Sequence, residues 1–227
     1  MRITYFGHSA FLLEIAGTRL VIDPWLATNP HGAVPPEKVP CHYVLCTHAH
    51  GDHIADALPL ARAHGATIVA PFELAEYFAA EGAKTIDLMP GGGVNLPWGR
   101  ITMTPAIHSS ALELEGGQNR AMGVASGYLI SAESRTVYHA GDTALFGDMA
   151  LIGRHAPDVA MIPIGDFYTM GPADAVEALN LIRPKVAIPM HYNTGEKTRQ
   201  DPHAFAALAA RAAHNVHVMS AGETFAV

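Results

Sequence analysis

The chain has 227 residues, 49% of them hydrophobic, and 14 lysines and arginines against 21 aspartates and glutamates give a formal charge of -7. That length can bury the core of one α/β domain spanning residues 1–227, and the acidic balance argues against a broad nucleic-acid groove. Mean hydropathy of +0.16 is apolar enough for folding, yet no apolar run is long enough to span a bilayer.

From Met1 the chain enters a strand pattern directly, with no leader, so the cytoplasm is the expected location. Strands are expected over residues 3–6, 11–15 and 19–22, with Gly17 turning the chain between the last two. Residues 30–40 are proline-rich and read as a loop. Further strands are expected over 43–46, 67–70, 85–88, 100–104, 123–130, 136–139, 159–162, 186–188 and 216–219. Helical periodicity covers 55–63, 71–80, 172–182 and 202–213, with Pro at helix starts and Gly65 or Gly82 just past helix ends. Gly91, Gly92 and Gly93 read as a tight turn, because no Lys-Ser/Thr and helix follow to make a phosphate loop. Residues 113–120 read as a polar solvent loop, with Arg120 available for an anion. Cys41 and Cys46 lie in no CxxC pair and read as buried free thiols.

One hexapeptide concentrates chemistry. His48-Ala49-His50-Gly51-Asp52-His53 places three imidazoles and a carboxylate directly behind the apolar strand over 43–46. In extended chain His48 and His50 share a side and can reach one cation, while Gly51 lets Asp52 and His53 turn toward a second. Imidazole nitrogen and carboxylate oxygen are the donors that borderline divalent cations prefer. Asp23, His108, Asp142 and His191 each fall at the end of an apolar run, where side chains from distant segments converge on one rim of a sheet.

The HxHxDH pattern, with Asp23, His108, Asp142 in Gly141-Asp142-Thr143 and His191 following in order, resembles the metallo-β-lactamase-fold hydrolases over nearly the whole chain. Tyr5-Phe6-Gly7-His8-Ser9 and Met190-His191-Tyr192-Asn193-Thr194 are most similar to a compact branch of metal-dependent hydrolases related to the L-ascorbate-6-phosphate lactonases. Composition leaves a doubly wound sheet open beside a four-layer αββα sandwich. The resemblance implies the α+β sandwich. It also implies two divalent metal ions, zinc first with manganese, iron or nickel accepted. His48, His50 and His108 would hold one, and Asp52, His53 and His191 the other, with Asp142 bridging and a shared hydroxide as nucleophile.

Asp23 is expected to orient a ligating histidine, or to serve only the turn at Asp23-Pro24. His8 is open between general acid, substrate contact and structural residue. His139 alternates away from Asp142 and reads as structural, while His31, His42, His64, His155, His203, His214 and His217 read as solvated or packing residues. Tyr168, in the segment over 165–171, and Asn193 with Tyr192 are expected to rim a substrate pocket. The expected activity is hydrolysis of a small ester, lactone or phosphoester, with Asp52 and His8 taking part. A nucleotide phosphodiesterase and a non-catalytic metal-binding regulator on the same fold are the alternatives. The expected partner is a small-molecule substrate, with no nucleic acid and no membrane, and a homo-oligomer is left open. A flavodiiron protein is disfavoured because that branch carries glutamate where this chain has His50.

Overall fold

Strict alternation along a strand sends neighbouring side chains to opposite faces, so a strand with apolar residues at every position must be covered on both. The computed structural model describes residues Met1–Val227 and places β1 at Arg2–Gly7, β2 at Ala10–Ile15, β3 at Thr18–Ile22, β4 at Tyr43–Leu45, β5 at Thr67–Pro71 and β6 at Lys84–Leu88. Between them lie α1 at Gly51–Ile54, α2 at Ala57–His64 and α3 at Phe72–Ala80. Next come β7 at Gly93–Leu96, β8 at Gly99–Pro105, β9 at Ala111–Leu114, β10 at Gln118–Ala121, β11 at Ser126–Ala132 and β12 at Arg135–His139. The chain ends with α4 at Met149–Gly153, β13 at Val159–Pro163, α5 at Pro172–Ile182, β14 at Val186–Met190, α6 at Pro202–Arg211 and β15 at Thr224–Ala226.

A seven-stranded sheet runs β15-β1-β2-β3-β4-β5-β6, and a six-stranded sheet runs β14-β13-β12-β11-β8-β7. On the first sheet, Phe11, Leu13, Leu20, Ile22, Leu45 and Val69 join the core shared with Ile101, Met103, Tyr128 and Ile130 of the second. Their neighbours Val21, Val44, Cys46, Ile68 and Ala70 instead pack with Leu60, Leu74 and Phe78 of α2 and α3. Met149 of α4, Leu179 and Ile182 of α5 and Phe205 of α6 belong to the same core as the second sheet. Helix, sheet, sheet and helix therefore stack as the four-layer sandwich that the resemblance implies. No helix is long and apolar enough to cross a membrane.

Three segments depart from the sequence reading. Residues 113–120 form most of the β9–β10 hairpin, whose turn uses Gly116 and Gly117 at φ 83° and 75°. The expected strand at 216–219 makes only a single parallel bridge, Val216 to Ala187, and β15 instead pairs antiparallel with β1 through Arg2↔Ala226 and Thr4↔Thr224. The expected helix at 55–63 begins earlier, as the short α1, so Asp52 and His53 sit on a helical turn.

At the opposite end of the second sheet from its ligand-bearing loops, Asp158 accepts from Lys185 Nζ at 2.7 Å, Thr136 N at 2.8 Å and Arg135 Nη1 at 3.2 Å, tying β12 and β13 to the start of β14. Burial would raise its pKa, but the Lys185, Thr136 and Arg135 hydrogen bonds outweigh burial and hold it below the usual carboxylate value of 3.8. A depressed folded-state pKa contributes stability above the unfolded value, and that contribution is lost as pH falls through the folded value. Chemical denaturation of Asp158→Asn should accordingly show a flatter loss of stability below pH 4 than the wild type. Parallel curves would mean that Asp158 carries no part of the acid dependence.

Candidate metal centre

The loops that leave β3, β4, β8, β12 and β14 meet at one rim of the sandwich. Asp23 follows β3 in the left-handed region, at φ 46°, and is fully buried. Its Oδ1 accepts from Thr47 N at 2.8 Å, and its Oδ2 accepts from Thr47 Oγ1 at 2.7 Å and from His53 Nδ1 at 2.8 Å. Since a carboxylate only accepts, His53 donates from Nδ1 to Asp23 and turns Nε2 toward the cluster. Thr47 spends its hydroxyl hydrogen on Asp23, so His48 Nδ1, 2.9 Å from Thr47 Oγ1, is the donor there. His48 Nε2 is thereby left as a lone pair facing the cluster.

His48 Nε2 and His50 Nδ1 approach to 3.0 Å, and Ser109 Oγ meets the other nitrogen of His50 at 3.3 Å. His48, His50 and His108 form one group of converging ligand atoms, and His8, Asp52, His53 and His191 form another. Asp142 lies between them. Its Oδ2 is 2.9 Å from His191 Nε2, 3.3 Å from His53 Nε2, 3.7 Å from His108 Nε2 and 3.9 Å from His48 Nε2. Glycines permit this convergence at two points. A Cβ on Gly141, at φ 62°, would collide with Ser126 O, and one on Gly165 would collide with His191 O.

Electrostatics follow from burial and crowding. Burial, with His53 alongside, pushes His48 well below the usual imidazole value, keeping it in the neutral form that ligates metal. His53 moves the other way: burial lowers its pKa, but Asp142, Asp23 and Asp52 together lift it well above the usual value. Burial would raise Asp142, yet His191 and His53 beside it hold it well below the carboxylate range. His53 Nε2, Asp142 Oδ1 and His191 Nδ1 are buried polar atoms without hydrogen-bond partners in the protein. Orphaned donors and acceptors of this kind, in a nitrogen- and carboxylate-rich cluster, fit divalent cations of the zinc class.

A cleft opens over the cluster in two lobes. One, of about 310 Å³, is lined by His50, Asp52, His108, Ser109, Asp142, Tyr168 and His191. The other, of about 360 Å³, is lined by His8, Trp25, Asp52, Tyr168, His191 and residues 194–198. Asp52, Tyr168 and His191 border both. Lys197 Nζ lies 3.3 Å from Tyr168 Oη and 4.6 Å from the centre of the Phe167 ring, so an ammonium stands at the mouth. A larger cavity of about 640 Å³, bordered by Arg2, Glu14, Arg19 and His42, lies away from these histidines.

Asn193 differs from expectation. It is exposed at φ 58°, its Oδ1 accepts from Gln200 N at 2.9 Å, and it borders a separate depression with Glu196 and Arg199. Its side chain stabilises the turn after β14 instead of lining the cleft, and Tyr192 is buried behind it. His139 is fully buried, with Nε2 3.0 Å from Ser9 O and Nδ1 accepting from Gly141 N at 3.1 Å. Among the histidines read as solvated, His31 is half-buried and its Nε2 lies 3.1 Å from Tyr192 O. Thr47, Ser109, Thr194, Trp25 and Lys197 escaped the sequence reading. Only Thr47 carried a signal, as a polar residue directly between the apolar strand and His48.

A sequence model described as the beta-lactamase superfamily domain matches residues 18–192. A UPF0173 metal-dependent hydrolase of Opitutus terrae is 68% identical over 227 residues, covering 100% of both chains. Another, of Archaeoglobus fulgidus, is 46% identical over 206 residues, covering 90% of this chain and 89% of its own. Among solved structures, Igni18, a metallo hydrolase from the hyperthermophilic archaeon Ignicoccus hospitalis, superposes with a TM-score of 0.90 at 40% identity, covering 100% of this chain and 98% of that one. An isothiocyanate hydrolase from Delia radicum gut bacteria, at 21% identity and a TM-score of 0.78, shares the fold. By sequence over its whole length and by architecture, this chain belongs to the UPF0173 metal-dependent hydrolases of the beta-lactamase superfamily.

Proposed function

We propose that the protein hydrolyses a small ester, lactone or phosphoester with two divalent cations, zinc being the first expectation. One observation carries this reading: Asp142 Oδ2 stands within 2.9 to 3.9 Å of imidazole nitrogens from both ligand groups. His48, His50 and His108 would hold one cation, and Asp52, His53 and His191 the other, with the Asp142 carboxylate shared between them. Cations bound there would polarise the scissile carbonyl or phosphoryl group and make water acidic enough to ionise near neutral pH. Asp142 and Asp52 supply the negative charge that two neighbouring dications need. Asp23 and Thr47 fix which nitrogen His53 and His48 present, so these two ligands are oriented before any cation arrives.

The cleft supports a small substrate. Its lobes, of about 310 and 360 Å³, match compact ligands in size. Tyr168, 50% exposed at the waist between the lobes, is placed to touch whatever lies over Asp52 and His191. The test is a zinc and manganese titration with metal analysis, run beside turnover of matched lactone, ester and phosphodiester panels. Two equivalents with chelator-sensitive turnover of one panel are expected. A single equivalent would overturn the paired-cation reading, and two equivalents without turnover on any panel would favour a non-catalytic metal protein.

A further inference from the structure

His8 is tied into the site through its carbonyl oxygen and both ring nitrogens. It follows β1 in the left-handed region at φ 55°, and only 1% of it is exposed. Its carbonyl oxygen accepts from His191 N at 2.8 Å and from Tyr5 Oη at 3.1 Å. Its ring lies 4.0 Å from the His191 ring, centre to centre. Nε2 is 3.1 Å from Asp52 Oδ2, and Nδ1 is 3.0 Å from Thr194 Oγ1. An ionised carboxylate can only accept, so the Nε2 hydrogen is given to Asp52. With both nitrogens hydrogen-bonded in a buried ring, the geometry favours an orienting role among the three that the sequence leaves open for His8.

The geometry points to His8 as a positioning residue that fixes Asp52 and His191 together and so sets how tightly the second cation is held. This rests on the paired-cation reading. Asp52 sits on a four-residue helix with 40% of its side chain exposed, so without His8 its carboxylate loses the hydrogen bond that orients it. Ordering it on binding would then cost side-chain entropy that the His8 hydrogen bond has already removed. The backbone link from His8 O to His191 N does the same for the loop after β14, and Thr194 on that loop returns a hydroxyl to His8. One ring thus joins ligands that arrive from opposite sheets.

The experiment is a cobalt titration of wild type, His8→Ala, His8→Gln and Thr194→Val, read by absorption spectrum and by bound metal. In His8→Ala the first equivalent should bind as in wild type, and the second should weaken by about 10 to 100-fold, the usual cost of losing a partner that orients a ligand. His8→Gln, whose amide can still donate to Asp52, should recover part of that loss. Thr194→Val, which keeps the imidazole and removes only a surface-loop hydroxyl, should weaken the same step by a smaller factor and covers the case in which His8→Ala fails to fold. At saturating cobalt the variant spectra should match wild type. Unchanged affinity for both equivalents in the variants overturns the proposal, and a saturated spectrum with altered coordination overturns it in favour of His8 as a direct ligand. A wild type that takes only one equivalent would instead defeat the paired-cation reading on which it stands.

Discussion

Asp142→Asn is expected to fold, to hold fewer than two cations, and to lose roughly 10³-fold in turnover, because charge stabilisation by a bound cation is worth about 4 kcal/mol. The substitution keeps the shape of the side chain and removes its charge. Asp142 Oδ2 is the one carboxylate oxygen within 4.0 Å of His48, His53, His108 and His191 together. No neighbouring acid can replace it, since Asp23 is committed to Thr47 and His53 and Asp52 to His8. Metal analysis and kcat on the substrate identified by the turnover panels check the outcome. Wild-type stoichiometry with full turnover would remove Asp142 from the centre of the site.

Asp23→Ala should damage the scaffold itself. It strips three buried donors, Thr47 N, Thr47 Oγ1 and His53 Nδ1, of their acceptor in a site with no access to solvent. Removing one partner of a buried charged network costs about 3–5 kcal/mol. For a chain of this size each kcal/mol is worth roughly 2–4 °C, so the melting temperature should fall by about 6–20 °C. Melts in the presence of chelator read the scaffold rather than the bound cation. A shift smaller than ~2 °C would show that the network is redundant with the surrounding backbone bonds.

These two aspartates also show what a linear sequence discloses. Asp23 and Asp142 announce themselves by position, each ending an apolar strand, and the hexapeptide from His48 to His53 is legible because its donors are adjacent. The strands of the first sheet are legible for a related reason: Leu20, Val21 and Ile22 are all apolar, as a strand covered on both faces must be. The bonds that orient the ligands are another matter. His8 meets Asp52 from 44 residues away and Thr194 from 186 residues away, and no local periodicity encodes such a pairing. The C-terminal strand fails for a different reason. Residues 216–219 are the more apolar candidate, but strand formation depends on an available partner, and β1 offers its edge to Thr224–Ala226. In hairpin β9–β10, β10 is polar and exposed throughout and β9 offers only Leu112 and Leu114 on one face, so Gly116-Gly117 is its clearest mark.

Where the ligands come from has a consequence for how the protein endures. His48, His50, Asp52 and His53 belong to the loop leaving the first sheet, while His108, Asp142 and His191 leave strands of the second. Each cation, on the proposed assignment, would therefore rivet the two halves of the sandwich across their seam. A ligand that binds only the folded state adds about 4 kcal/mol when it is present at 1,000 times its Kd. Chelation would withdraw that increment at the rim where the halves meet, and the loops there would open before the strands behind them. The lifetime of the fold against proteases would then track the metal supply around it.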